Sequence, residues 1–207
     1  TIGRANMTMK SWDSDYSTRG RLWGGGVRNL PDLPEGTRVL ELGCGDGKTL
    51  SAMPRSWRIA ALDISLPALR LCSRSHPQSD LILANAERLP FKSESFDDVF
   101  AYHVAGHLFL PGRRALASEV SRVLKSGGKL FFREFGWLDM RMGEGQEVEE
   151  ATFLRGSGII THYFTESETS ELFCRLVPAS IESNCWKMRV RGRYLVRSQI
   201  EAIFLKG

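Results

Sequence analysis

A chain of 207 residues with 42% hydrophobic and 25% charged side chains can fill one sizeable core, and that balance excludes disorder and collagen-like architecture. No run approaches about eighteen consecutive apolar residues, and no charged n-region with an apolar h-region opens the chain, so neither a membrane span nor a cleaved secretory leader is expected. The net charge of +4 permits a polyanionic partner without requiring one.

The first legible element is aromatic. Ser11 to Trp23 packs two tryptophans, a tyrosine and two arginines ahead of the first apolar strand, with Trp12 and Tyr16 at i, i+4 on one helix face. Such a pair serves either as a packing staple or as a lid of aromatic faces over a bound cation. Strands and helices then alternate, the signature of a doubly wound sheet. Arg38–Leu42 predicts a buried strand ending in the glycine run Gly43-Cys-Gly-Asp-Gly47, and Lys48 to about Arg55 predicts a helix. Trp57–Leu62 predicts a second strand closed by Asp63, and Ser65 an N-cap for a helix that His76-Pro77 stops. Leu81–Ala84 and Asp97–Tyr102 predict the third and fourth strands, Arg113–Leu124 a one-faced helix, and Ser126-Gly-Gly128 a turn into a strand at Lys129–Phe132.

From about Phe135 to Tyr163 the rhythm breaks, and five glycines with few regular apolar spacings predict an inserted loop region, a usual carrier of function. Thr165-Glu-Ser-Glu168 predicts a capping box. The end predicts a hairpin, in which Trp186, Met188 and Val190 alternate with Lys187, Arg189 and Arg191 before Gly192 turns into Tyr194–Leu205. The four cysteines, Cys44, Cys72, Cys174 and Cys185, share no CxxC spacing, so no disulfide framework or zinc site is expected and a reduced, cytoplasmic setting fits. His103 and His107 have a spacing that could hold a metal on a helix, but no acid or thiol stands beside them, and no metal is expected.

Three loops on one sheet edge carry the chemistry. Glu41-Leu-Gly-Cys-Gly-Asp-Gly47 lets the backbone approach a ligand closely, although it lacks the third glycine of the dinucleotide fingerprint, which disfavours an NAD-linked oxidoreductase. Asp63, 18 residues after Gly45, stands where an acid accepts both hydroxyls of a ribose. Asn85 follows the third strand, with an oxygen suited to an adenine amino group. All three loops converge where the strand order reverses.

Val39–Gly47, Asp63, Asn85-Ala-Glu-Arg-Leu-Pro-Phe91 and Phe96-Asp-Asp98 resemble the successive motifs of class I S-adenosylmethionine-dependent methyltransferases over roughly residues 36–134. The resemblance implies an α/β, Rossmann-like fold, a seven-stranded and mostly parallel doubly wound sheet whose last strand is antiparallel. It implies S-adenosylmethionine as cofactor, with Glu41, Gly43, Cys44 and Gly45 near the methionine part, Asp63 and Ile64 at the ribose, and Asn85 and Ala86 at adenine. Asn85 stands where that family usually has Asp.

A narrower likeness covers nearly the whole chain. Phe131-Phe-Arg-Glu-Phe-Gly-Trp-Leu-Asp-Met140, Phe153-Leu-Arg-Gly-Ser-Gly158, Tyr163-Phe-Thr165, Glu171-Leu-Phe173 and Trp12-Asp-x-x-Tyr16 are similar to motifs of the tRNA 3-methylcytidine methyltransferases. Glu134 and Phe135 replace that family's Asp-Tyr, and Ser157 its Asp. The likeness implies Trp12, Tyr16 and Tyr102 beside the cofactor, and Arg133, Trp137, Asp139 and Arg155 on the side of a tRNA substrate. It also leaves open a helper protein as partner.

A cytidine ring nitrogen offers a free lone pair, so alignment and desolvation suffice and no general base is required; His103 and Arg133 are the candidate catalytic residues. Trp23, Trp137, Arg133, Arg141, Arg155 and the Lys187/Arg189/Arg191 ridge are candidates for gripping a splayed base, the ridge having edge-strand protection as its plain alternative. A small-molecule or protein acceptor, and a non-catalytic partner protein, stay open. The expected organisation is one domain over 1–207, with 1–35 as a cap and 135–163 as the inserted substrate-side region.

Overall fold

Alternation at period two sorts the central strands into two separate cores. A computed structural model describes residues 2–20 and 30–207, with side chains from Met9 onward. In β1 (Arg38–Leu42), β4 (Phe96–Tyr102) and β5 (Leu124–Phe135), one face delivers Leu40, Leu42, Val99, Ala101, Leu130 and Phe132 to the larger core, and the other delivers Val39, Phe100 and Phe131 to the smaller. Strands buried on both faces read as continuous apolar runs, which is why these were legible.

The sheet runs β3-β2-β1-β4-β5-β10-β9, where β2 is Arg58–Asp63, β3 Asp80–Leu83, β9 Val177–Val190 and β10 Arg193–Leu205. The first five strands are parallel, and β10 is antiparallel to both of its neighbours. The expected seven-stranded α/β sheet with an antiparallel last strand is therefore present, and the last strand lies inside the sheet, between β5 and β9. Order reverses between β1 and β4, so a crevice opens at their carboxyl ends.

α2 (Leu66–Ser75) starts at Ser65, whose Oγ accepts the Ala68 N–H at 3.4 Å, and ends before Pro77. Leu69 and Cys72 on its buried face join the smaller core, whereas Leu116 and Val120 of α3 (Leu110–Val123) join the larger. Thr165 caps α4 (Glu166–Leu172) by accepting the Glu168 N–H at 3.2 Å. The Glu168 carboxylate turns away from the cap and lies 2.7 Å from His162 Nε2, so the capping box is half made.

Two expectations are corrected. Residues 48–55 form turns and a 3-10 turn at Leu50–Ala52 in place of a helix, because only six residues separate Gly47, at φ +87°, from Pro54. Residues 135–163 are ordered as well as looped: β6 (Gln146–Glu149), β7 (Thr152–Leu154) and β8 (Ile160–His162) form a small antiparallel sheet. Its strands are too short to show periodicity, and Gly143, Gly145 and Gly158, all at positive φ, serve its turns. No helix among the described residues is long and apolar enough to cross a membrane.

Candidate functional site

The loop after β1 is built for close approach. Gly43 and Gly45 have φ of +67° and +55°. A side chain at Gly43 would press on Val104, and one at Gly45 would collide with the Tyr16 hydroxyl. Asp63, at the end of β2, accepts the Gly45 N–H on one oxygen and the Ser65 N–H on the other, each at 2.8 Å. The sequence placed Asp63 at a ribose. The geometry adds that it splints the glycine loop to the start of α2.

Burial dominates the electrostatics. Glu41 is buried, its Oε2 has no hydrogen-bond partner among the described residues, and desolvation pushes its pKa up to about 8 against a Thr49 bond that lowers it. Burial likewise raises the Asp63 carboxyl, outweighing the backbone N–H groups that favour its ionised form. With Asp46 also buried, the crevice concentrates acids around glycines. Such a donor set fits a ligand that brings its own positive charge, as a sulfonium with an ammonium group does.

Cys44 is buried in the same loop, and its thiol is raised by its hydrogen bond to Cys72 and by burial. Ile64 is half-buried beside Asp63, and Ala86 is buried in the loop after β3. The Asn85 Oδ1 accepts the Glu87 N–H at 2.9 Å, so this side chain shapes its own turn with one lone pair and retains the other.

α1 (Ile2–Arg19) lies across the crevice, held at four points. Asp13 accepts the Ser65 hydroxyl at 2.7 Å, and Tyr16 seats its hydroxyl over Gly45. Trp12 meets the His107 ring edge-on at 4.8 Å, and Ser11 occupies the space that a side chain at Gly158 would need. Trp12 and Tyr16 are 5.9 Å apart, on the same face as expected. Burial first, then the Asp63 and Asp46 charges, raise the Tyr16 pKa, so its phenol stays neutral.

At the ends of β4 and β5 a polar group with buried members takes shape. His103 has a φ of +55°, and its Nδ1 lies 3.7 Å from Oε2 of the fully buried Glu134, while Glu134 Oε1 accepts the Gly106 N–H at 2.9 Å. A left-handed non-glycine residue at a strand end is held there by its surroundings, a common state at reactive sites. Arg133 lies over the Tyr102 ring at 4.4 Å and 3.3 Å from Glu201 Oε1. Sequence reasoning used Glu134 only as a departure from a motif, and its burial was the missing signal. For His107 the sequence offers a helical metal ligand or plain packing, with no metal expected. His107 ends a 3-10 turn (Ala105–His107), donates Nδ1–H to the Ile160 carbonyl at 2.8 Å, and is kept neutral by burial.

The substrate-side candidates divide. Trp137 is exposed and, with Leu138, lines an open cleft of about 450 Å³ between the start of α4 and the β9–β10 pair. Asp139 is a cross-link. One oxygen takes the Arg141 Nε and N–H, the other the Arg197 Nε at 2.7 Å and the Ser198 N–H, so every acceptor position is filled within the chain. Arg155 bonds the Tyr163 hydroxyl at 2.8 Å and lies 3.7 Å from Glu144, while Arg141 stacks over Phe135 at 3.9 Å. Trp23 lies outside the described residues.

Comparison with known proteins agrees with this geometry. Residues 40–132 match the methyltransferase domain family. A phthiotriol/phenolphthiotriol dimycocerosates methyltransferase of Mycobacterium ulcerans is 40% identical over 104 residues, covering 48% of this chain and 38% of that protein. A tRNA N(3)-cytidine methyltransferase of Gallus gallus is 26% identical over 168 residues, covering 71% of this chain and 44% of that one. The chain thus spans less than half the length of these curated relatives. A crystal structure of a SAM-dependent methyltransferase from Methanosarcina mazei superposes with a TM-score of 0.69 at 26% identity, over 84% of this chain and 95% of the other. With the glycine loop, the acid-lined crevice and the strand order already in place, residues 40–132 match a methyltransferase domain, and the chain is similar in fold and sequence to S-adenosylmethionine-dependent methyltransferases.

Proposed function

We propose that this chain transfers the methyl group of S-adenosylmethionine to a base in tRNA, with ring nitrogen 3 of cytidine as the acceptor. The observation that carries the methyl-transfer reading is α1, pinned by Asp13, Tyr16 and Trp12 across a glycine crevice lined with buried acids. When bound there, S-adenosylmethionine supplies an electrophilic methyl on a sulfonium. Asp63 would take the ribose hydroxyls, Asn85 and Ala86 would border adenine, and Glu41 would meet positive charge that restores its ionised form. Trp12, Tyr16 and Tyr102 would exclude water, which strengthens these charge interactions. A cytidine nitrogen attacks with its own lone pair, so the site must align and desolvate without first removing a proton. The tRNA reading is supported by the likeness over 168 residues to the tRNA N(3)-cytidine methyltransferase, and by Arg133, whose guanidinium lies over the Tyr102 ring while its backbone carbonyl accepts the His103 N–H.

The test is methyl transfer from labelled cofactor into bulk tRNA and into a metabolite extract, followed by nucleoside mass spectrometry. Label in 3-methylcytidine is the expected result; label only in metabolites overturns the tRNA assignment. Arg133→Ala is expected to lower transfer at least tenfold with cofactor affinity nearly intact, and an equal loss of both would assign Arg133 to the cofactor or the fold.

A second reading has its own observation. The His103–Glu134 approach at 3.7 Å supplies a base with a carboxylate behind it, which an acceptor that loses an O–H or N–H proton would use. His103→Ala separates the two. Loss of transfer in the variant favours the proton-losing acceptor, whereas retained transfer favours the ring nitrogen.

A further inference from the structure

The hairpin of β9 and β10 outgrows the sheet that supports it. β5 backs β10 only as far as the pair Gln199 and Phe135, yet β9 and β10 stay registered for six further pairs, from Ser198 and Cys185 to Arg193 and Val190. At about 3.3 Å per residue this is an arm of about 20 Å. Only its base is steadied, by the Gly136 N–H on the Ser198 carbonyl and the Met140 N–H on the Val196 carbonyl. A two-stranded ribbon with so little backing is marginal in water, so the side chains it spends there need a reason.

Those side chains are cations and aromatics. Residues 184–198 hold Lys187, Arg189, Arg191, Arg193 and Arg197 and no acid. Five positive charges exceed the net +4 of the whole chain, so everything outside the arm is net acidic by one. Arg197 is consumed by Asp139, but Lys187, Arg189, Arg191 and Arg193 make no ion pair or side-chain hydrogen bond with any described residue. Tyr194 is 69% and Trp186 44% exposed. The turn itself places Arg191 at φ +46° before Gly192 at +81°, a position that favours Asn or Gly, so a cation is kept at the tip against backbone preference. Edge protection would put charge on the outer strand; here both strands and both faces carry it.

The arm is also continuous with the site. From His103 the ring of Phe135 follows at 4.6 Å, Arg197 lies over Phe135 at 5.6 Å, and the same guanidinium lies over Trp186 at 5.8 Å. We propose that this hairpin is an RNA-docking arm: Lys187, Arg189, Arg191 and Arg193 hold the sugar–phosphate backbone beside the target nucleotide, Trp186 stacks an unpaired base along the stripe that leads to His103, and Tyr194, paired with Arg189, stacks another on the opposite face. The proposal rests on the reading of RNA as the substrate. Charge complementarity and aromatic faces are what single-stranded RNA requires of a surface.

The test measures affinity of the full chain for unmodified tRNA by fluorescence anisotropy between 50 and 300 mM salt. The combined variant Arg189→Glu, Arg191→Glu, Arg193→Glu is compared with its Arg→Gln counterpart, which guards against a folding defect from charge reversal. At about 150 mM salt the Glu variant is expected to bind at least tenfold more weakly. The log–log salt slope should shallow by about 2–3, with cofactor affinity and melting temperature unchanged. Unchanged affinity and slope in both variants overturn the arm and leave the RNA-substrate reading standing. Arm-dependent tRNA binding with no methyl transferred to RNA sinks the substrate reading and leaves the arm. Wild-type chain that pellets with phosphatidylglycerol vesicles but ignores tRNA overturns both.

Discussion

Glu41 shows how one side chain ties the cofactor crevice to the stability of the fold. Its buried carboxyl, with Oε2 unpartnered among the described residues, has a pKa of about 8 in the folded chain against an ordinary 4.5. Between these values the folded state keeps a proton that the unfolded state has released, so stability is full below about pH 4.5 and is lost as pH rises through 8. Asp98, raised by burial to about 6, acts in the same direction but is spent by then. Glu41→Gln is therefore expected to flatten the fall in ligand-free melting temperature between pH 6.5 and 8.5, and parallel curves for the two proteins would remove Glu41 as its source. Asp139 makes the opposite case. Burial alone would raise its carboxyl, yet Arg141 and Arg197 outweigh that and hold it below the usual range. Asp139→Ala should destabilise by up to about 3 kcal/mol in urea unfolding, because two guanidinium groups lose their acceptor but keep some water. Both residues were legible as site candidates from their motifs. What no motif contains is the count of partners, which separates an acid awaiting a cation from one already saturated.

Elements were legible in proportion to the length over which one pattern holds. β1, β4 and β5 are apolar on both faces and declare themselves, as do the caps at Ser65 and Thr165. The stretch from Gly136 to Tyr163 was opaque because β7 and β8 are three residues each, and its order comes from Tyr163, Phe164 and their contacts rather than from any local run. α1 was half legible. The Trp12–Tyr16 spacing predicted a shared face, but what that face covers depends on contacts with residues far along the chain: Gly45, Ser65, His107 and Gly158. We propose α1 as a lid, with the Asp13–Ser65 bond as its latch. Asp13→Ala is expected to raise the dissociation rate of S-adenosylhomocysteine at least fivefold in stopped-flow measurements while moving the melting temperature by little. A large loss of stability with an unchanged dissociation rate would make α1 a structural strap instead.

At the scale of the whole molecule, charge is sorted as the two proposed ligands require. Buried acids gather at the glycine crevice, cations gather on the hairpin, and the Phe135 stripe joins the two regions. This arrangement makes cofactor binding a test of the fold, because Asp63 bridges the glycine loop, α2 and the proposed ribose site at once. A ligand present at about 100 times its Kd stabilises the folded state by about 2.7 kcal/mol, which for a domain of this size raises the melting temperature by about 5–10 °C. S-adenosylhomocysteine should produce that rise in the wild-type chain. Asp63→Asn keeps the shape but presents an amide N–H where one backbone N–H needs an acceptor, so its ligand-free melting temperature should fall and the ligand-induced rise should shrink together. A variant with a lowered baseline and an undiminished rise would confine Asp63 to the splint and move the ribose contact elsewhere along the same sheet edge.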